Sequence, residues 1–246
     1  MQSMRVSSRL VKPLRVLVLL VLAAGSFLIA RASLPYFGED LAPFVMEKFP
    51  LPLEDVWMLA LKTHVVAAAI CLPGCLLLSL NIVIKRLPRF HRWLGRAVGT
   101  LVLLALVPSG LYMSWFAKGG LLSTIGFMLS GVIVAFAMVQ GVRAARARRF
   151  VEHRRWVLHV LAQLSVAVTS RAMLFAFDAG GVDEILAYLV SLWVPVVGSF
   201  GLVELVLTRT RTRTRIALPT WRTHEAPVDA RHPHLLPYDL RRAHGS

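Results

Sequence analysis

The amino-acid sequence predicts an all-α fold, a polytopic membrane bundle of about six transmembrane helices with both termini in the cytoplasm. Hydrophobic residues make up 57% of the 246 residues, which exceeds the roughly 45–50% of a soluble domain. They fall in runs of about 20, long enough to cross a hydrocarbon core of about 30 Å at about 1.5 Å per residue. Basic residues cluster in alternate connections, as they do in cytoplasmic loops. The sequence therefore describes a multi-spanning membrane protein and not a globular domain.

The predicted domain organisation follows from these runs. A basic N-terminal segment covers 1–13, a membrane domain covers 14–207, and a basic tail, expected to be disordered, covers 208–246. Within the membrane domain the spans are predicted at about 14–34, 56–84, 93–116, 121–142, 156–177 and 185–207.

The first span has a second interpretation. Its basic start, apolar stretch and Ala30-Arg31-Ala32 resemble a signal peptide with its cleavage site. The apolar stretch is long for a signal peptide, and Arg31 fits the cleavage site poorly, so a retained helix is favoured. Cleavage would leave five spans in the same orientation.

The net charge of +15 is an orientation signal. The basic residues occupy the N-terminal segment, the second and fourth connections and the tail. An even number of spans separates these four segments, so all of them fall on one side, which the positive-inside rule makes cytoplasmic. We expect a bacterial inner-membrane location, contact with anionic lipid headgroups and no nucleic-acid binding.

Ionisable residues inside the spans are candidates for function, because a charge facing lipid costs at least about 2 kcal/mol. His64 and Arg171 are predicted at similar depth near the outer side, where they could bind an anion; snorkelling of Arg171 is the structural alternative. Glu204 is expected about one turn from the inner surface. It needs a partner, and the basic residues at matching depth are Arg92, Arg96 and Arg154.

Two similar motifs open the third and fifth spans, PRFHRWLGR at 88–96 and VEHRRW at 151–156. His91 and His153 thus lie at the inner ends of two helices. Beside Arg and Trp they could be interfacial anchors. Alternatively, the two imidazoles could converge to bind haem, and a proton relay or a quinone headgroup site is equally compatible. His153 and Arg171 are 18 residues apart and are predicted to share the face of span five that lines the bundle, with His159 about 120° away.

Small residues and prolines predict packing details. Cys71 and Cys75 are expected to pack as free thiols, since one helical turn does not suit a disulfide. Gly95 and Gly99 form a small-xxx-small pair that predicts close helix approach. Kinks are expected at Pro73, Pro108 and Pro195.

The order of these motifs resembles the bacterial predicted membrane-protein family of domain of unknown function 2306. The resemblance covers about 56–207 and includes His64, both His-Arg motifs, the VTSR at 168–171, and the WVP at 193–195 followed by Glu204. Two stretches depart from the family pattern: CLPGC at 71–75 replaces a Gly-Pro-Phe-Gln-like stretch, and Val196 and Val197 stand where the family tends to carry Asn. The resemblance implies a helical membrane fold and no established activity.

Three functional hypotheses remain open from the sequence. The first is a membrane redox module that binds a quinone or haem b through inner-side histidines. The second is a small-molecule or proton-coupled transporter or sensor with an anion site at Arg171 and His64, and the third is an accessory protein without a ligand. The candidate site residues are His91, His153, His64, Arg171, Arg96, Arg154 and Glu204. No hydrolase, zinc-protease or phosphate-loop motif occurs, and the sequence does not decide whether the protein is an enzyme.

Overall fold

A computed structural model describes residues 8–38, 43–46, 48, 50–51 and 53–216. The chain divides into two units, Met1–Leu207 and Thr208–Ser246. In the second unit the described residues, 208–216, are helical. The rest of the predicted tail, 217–246, and the start of the predicted N-terminal segment lie outside the described residues.

Six long helices form the membrane domain, which confirms the predicted number of spans. They are α1 (Ser8–Ala32), α2 (Glu54–Ser79), α3 (Pro88–Leu101, a π-helical turn at Val102–Leu106, and Val107–Ser114), α4 (Gly120–Arg146), α5 (Phe150–Ala179) and α6 (Glu184–Ile216). Short helices occur at Leu34–Phe37, Pro43–Met46 and Asn81–Arg86. The described residues contain no strand. This agrees with a membrane location, because a spanning segment must satisfy its backbone hydrogen bonds internally, as a helix does.

One boundary differs from the prediction. The second span was expected to run to residue 84, but α2 ends at Ser79, and Leu80 takes an extended conformation with ψ 129° before the next short helix begins. Asn81 is the one polar residue directly after this break, and Ile82, Val83 and Ile84 beyond it are as apolar as the span before them.

The core lies between α2, α3, α4 and α5. Its centre contains Cys71, Val98, Val102, Ala137 and Val160, each exposed by 2% or less. The α1 helix is peripheral: only 6% of its most apolar window is buried, and it packs on α2 and α5. Many large apolar side chains on the outside of the bundle are exposed, which suits contact with lipid.

The cysteines and the prolines inside the spans lie in different local environments. Cys71 and Cys75 are free and buried, as predicted. Pro108 follows the π-helical turn Val102–Leu106, whereas Pro73 and Pro195 lie inside helices that continue past them. At the π-helical turn the Leu106 carbonyl accepts a hydrogen bond from His64 Nδ1 at 3.1 Å, so a neighbouring helix binds this irregular stretch of backbone.

Only one member of the predicted glycine pair packs closely against another helix. A Cβ on Gly99 would lie 3.6 Å from Met138 Sδ, but a Cβ on Gly95 would meet nothing within 4 Å. A tighter approach occurs between α2 and α3, where a Cβ on Gly74 would lie 2.7 Å from Val98 Cγ2. The sequence pattern therefore identified a glycine-rich helix but not the close approach at Gly74.

Substitution of Gly74 by Ala should destabilise the protein by about 2 kcal/mol, because Val98 is β-branched and buried and has little room to rotate away. Gly95→Ala is the matched control: its methyl group meets open space, and the intrinsic helix preference of alanine should stabilise α3 by up to about 1 kcal/mol. Thermal unfolding in detergent micelles, followed by circular dichroism, measures both. Equal melting temperatures for the two variants would contradict the assigned contact between α2 and α3.

Candidate functional site

A partly buried ionic cluster joins α5 to α6. Glu204 on α6 accepts hydrogen bonds at the same oxygen, Oε1, from Arg155 Nη2 at 2.7 Å and from His159 Nε2 at 2.8 Å. Glu204 therefore has a basic partner, as the sequence predicted, but the residues predicted to provide it were wrong. They were Arg92, Arg96 and Arg154, and the structure pairs the carboxylate with Arg155 and His159 instead.

His159 is the most buried member of the cluster, with 1% of its surface exposed. Arg155 already balances the charge of Glu204, so a neutral imidazole leaves the cluster without net charge, as a low-dielectric site favours. In the neutral tautomer that carries its proton on Nε2, His159 donates to Glu204 and its Nδ1 is a hydrogen-bond acceptor. This Nδ1 is buried and has no partner in the described part of the chain.

The His159 ring forms part of the wall of an apolar cavity of about 190 Å³ between α4, α5 and α6. Aromatic rings enclose it: Phe136 and Trp156 meet edge to face at 5.4 Å, and Phe200 lies 4.8 Å from the His159 ring at 32°. A cavity of about 150 Å³ holds benzene in a well-studied protein, so this one has room for a single substituted six-membered ring.

The cavity borders the lipid-facing surface of the bundle. Three of its wall residues are substantially exposed, Val132 by 55%, Phe136 by 54% and Phe200 by 42%. His159 lies nine residues from the start of α5 at Phe150, or about 13 Å along the helix. A ring compound dissolved in the bilayer can therefore reach the cavity without crossing water.

A second polar contact lies one helical turn further along α5. Gln163 is 3% exposed and donates from Nε2 to the Val196 carbonyl of α6 at 2.9 Å. Its Oε1 accepts from Ser130 Oγ of α4 at 3.2 Å. Arg155, His159 and Gln163 follow each other at four-residue intervals, so one face of α5 presents all three to α4 and α6.

The predicted inner-side histidines lie close to each other but outside the cavity. His153 is half-buried, and its Nδ1 donates to the Gly141 carbonyl of α4 at 2.9 Å. His91 is near enough to His153 for the two rings to interact electrostatically. Neither ring contributes to the cavity wall at His159.

His64 and Arg171, which the sequence predicts near the outer side, form a separate group. Each lies within electrostatic range of the other, and Tyr36 and Tyr188 lie within range of Arg171. Arg171 is exposed and donates from Nη1 to the Ala167 carbonyl of its own helix at 3.0 Å. In the described residues it forms no ion pair, including with Asp178 on the same helix.

Five of the predicted site residues thus fall in three separate places, His91 with His153, His64 with Arg171, and Glu204 apart from the other predicted residues, and the other two, Arg96 and Arg154, join none of them. His153 and Arg171 are separated by about 27 Å along α5. Arg96 and Arg154 are both exposed, and neither forms an ion pair within the described ranges. His153 and Arg171 were predicted to share the lining face of α5, whereas His159 is the buried histidine of this helix and Arg171 is exposed.

The RxxxHxxxQ spacing at 155–163 is the sequence pattern from which the cluster of Arg155, His159 and Glu204 could have been predicted. Three polar side chains at four-residue intervals inside an apolar span predict a polar face, and Glu204 in the next span is the complementary charge.

Comparison with known proteins adds one match. A family model described as Predicted membrane protein (DUF2306) matches residues 61–207, which is more than half of the chain. No curated protein matches. No solved structure matches either.

Proposed function

We propose that this chain, which belongs to the DUF2306 family of predicted membrane proteins, binds a lipid-soluble quinol at His159. The observation that carries the proposal is a fully buried histidine beside a ring-sized aromatic cavity. Its Nδ1 has no partner among the described residues and is not exposed at the cavity wall, so a ligand reaches it by displacing a neighbouring ring. The ring hydroxyl of a quinol donates a hydrogen bond, and Nδ1 of neutral His159 accepts one.

Glu204 and Arg155 position the acceptor. Glu204 holds the Nε2 proton of His159 at 2.8 Å, which fixes the tautomer and leaves Nδ1 free for the ligand. If the quinol gives up its proton, Nδ1 receives it, and the Glu204 carboxylate lies in contact with the resulting imidazolium. The site can therefore bind a quinol and also accept its proton.

Haem fits this cavity less well. A volume of about 190 Å³ suits one ring and not a macrocycle, and His159 Nε2 is engaged by Glu204. Haem at His91 and His153, and an anion at Arg171 and His64, stay predictions from the sequence. The quinol proposal retains the redox class of ligand but moves its site from the inner-side histidines to His159.

The test compares binding of a short-chain quinol and its oxidised quinone by calorimetry in micelles. His159→Phe keeps the aromatic wall but removes the acceptor. It should weaken quinol binding about tenfold, the effect of one lost hydrogen bond of about 1.4 kcal/mol. The oxidised quinone has no ring hydroxyl to donate, so its affinity should change little.

His91→Phe is the matched control, because His91 lies outside the cavity wall. It should bind both forms as wild type does. If His91→Phe loses quinol affinity while His159→Phe retains it, the site lies at the inner-side histidines and this proposal is wrong.

A further inference from the structure

A groove of about 470 Å³ runs along the outside of α3. Large side chains lie at its two ends, Trp93 with 67% and Leu104 with 75% of its surface exposed. Between them the groove is lined by the smaller residues Ala97 and Thr100, which are also exposed. These positions are three or four residues apart, so they follow one face of the helix. None of the residues that line the groove belongs to the cavity beside His159.

The position of Arg96 gives the depth of the groove in the membrane. The 18 residues 97–114, from Arg96 to the end of α3, contain no charge and extend over about 27 Å, close to the roughly 30 Å of a hydrocarbon core. Arg96 therefore lies at the boundary between hydrocarbon and headgroups. From there the groove reaches Leu104, about 12 Å deeper, which is most of the thickness of one leaflet.

A row of arginines lies at the headgroup end of the groove. Arg89, Arg92 and Arg96 are exposed, and their spacing of three and four residues places them on one face of α3. None of them forms an ion pair within the described ranges. The sequence contains no acidic residue between Asp55 and Glu152, so this part of the chain has no carboxylate that could neutralise them. The charge of this surface is complementary to an anion from outside the protein.

We infer that the groove binds one anionic phospholipid, with its phosphate on Arg96 and one acyl chain along α3. A guanidinium group binds phosphate through two parallel hydrogen bonds. Thr100 lies one helical turn deeper than Arg96, at the depth of the ester groups that follow the phosphate. Its hydroxyl makes no hydrogen bond within the described part of the chain, so it can donate to an ester oxygen. Deeper still, Leu104 in the π-helical turn Val102–Leu106 contacts the acyl chain.

A second copy of this chain fits the groove less well than a lipid does. A two-fold contact through α3 would bring Arg92 and Arg96 of each copy toward the same residues of the other copy, and like charges repel strongly at the edge of a hydrocarbon core. Trp93 lies beside these arginines, and indole rings are enriched at headgroup depth. Both features favour a lipid of opposite charge as the occupant.

The experiment is native mass spectrometry of the detergent-purified protein, which measures binding of the first lipid as phosphatidylglycerol or phosphatidylcholine is added. Wild type should bind the anionic lipid about tenfold more tightly than the zwitterionic lipid. Arg96→Gln removes the phosphate contact and should bring the two affinities within about twofold of each other. Thr100→Trp fills the groove from an exposed position and should weaken phosphatidylglycerol binding about tenfold, although every charge is retained.

Two variants on α4 are the matched controls. Arg143→Gln removes one exposed arginine from the last turn of α4, outside the groove. Val139→Trp adds an indole at a position that is 40% exposed and also outside the groove. Both should bind phosphatidylglycerol as wild type does. Equal losses in Arg96→Gln and Arg143→Gln would show attraction by net charge without a defined site, which would overturn the inference.

Three further results would overturn it as well. The first is equal affinity of the wild type for the two lipids, and the second is unchanged phosphatidylglycerol binding in Thr100→Trp. The third is a lipid-free dimer that Thr100→Trp dissociates, because a second copy of the chain would then occupy the groove.

Discussion

Replacement of Glu204 by Leu should lower the free energy of unfolding by about 2–3 kcal/mol. The change removes the acceptor for Arg155 and for the fully buried His159 and leaves a guanidinium without its counter-charge. Breaking a fully buried ion pair costs about 3–5 kcal/mol, and a surface pair contributes at most about 1. Glu204 lies between these limits, because about a third of its side chain and of the Arg155 side chain is exposed. Denaturant titration in mixed micelles measures the change.

Two variants show whether the loss comes from this cluster. Glu152→Leu, also in the fifth span, breaks the exposed pair between Arg149 and Glu152, and we expect a cost of at most about 0.5 kcal/mol. Arg155→Leu combined with Glu204→Leu removes both charges and should recover part of the stability. Equal costs for Glu204→Leu and Glu152→Leu would show that Glu204 does not stabilise the contact between α5 and α6.

The number of spans was predictable because a bilayer imposes one requirement on every crossing segment. The backbone must satisfy its hydrogen bonds internally, and the side chains must be apolar over about 20 residues. Both requirements can be recognised in a single sequence. The π-helical turn at Val102–Leu106 and the end of α2 at Ser79 could not be predicted, because the turn leaves the hydropathy of its segment unchanged and only Asn81 interrupts the apolar residues after the end of α2.

The rotation of each helix was less predictable than its position. A soluble helix has one apolar face, but a membrane helix is apolar on the side facing lipid and on the side facing the core. Arg154 and Arg155 are at nearly the same depth, yet they point about 100° apart, and only Arg155 contacts Glu204. Depth alone therefore predicted that Glu204 has a basic partner but not which arginine provides it.

The same ambiguity explains why His159 was not among the predicted site residues. The face shared by His153 and Arg171 was taken as the interior because it is polar at both ends. Polar residues at the ends of a span can reach water or headgroups, so they do not indicate which face of the helix points into the bundle. Residues in the middle of a span have no such alternative, which makes His159 and Gln163, exposed by 1% and 3%, better indicators of the interior.

Filling the cavity should weaken quinol binding strongly without altering any polar group. Val132 contributes to the cavity wall and is 55% exposed on the lipid side of α4, so Val132→Trp can be accommodated while its indole occupies the cavity. A ring that buries about 100 Å² of apolar surface contributes about 2.5 kcal/mol of binding free energy. We therefore expect Kd to rise about 100-fold, for the quinol and for the oxidised quinone alike, measured by the same calorimetric titration.

Val139→Trp is the matched control for this change. Val139 lies seven residues further along α4, about 20° around the helix from Val132, is 40% exposed and is not part of the cavity wall. It adds the same indole to the same face and should bind both forms normally. His159→Phe should weaken binding of the reduced form only, whereas Val132→Trp should weaken binding of both forms. The two variants therefore distinguish the contribution of the hydrogen bond from that of the space that the ring occupies. Normal quinol binding in Val132→Trp would place the ligand elsewhere, even if His159→Phe bound it weakly.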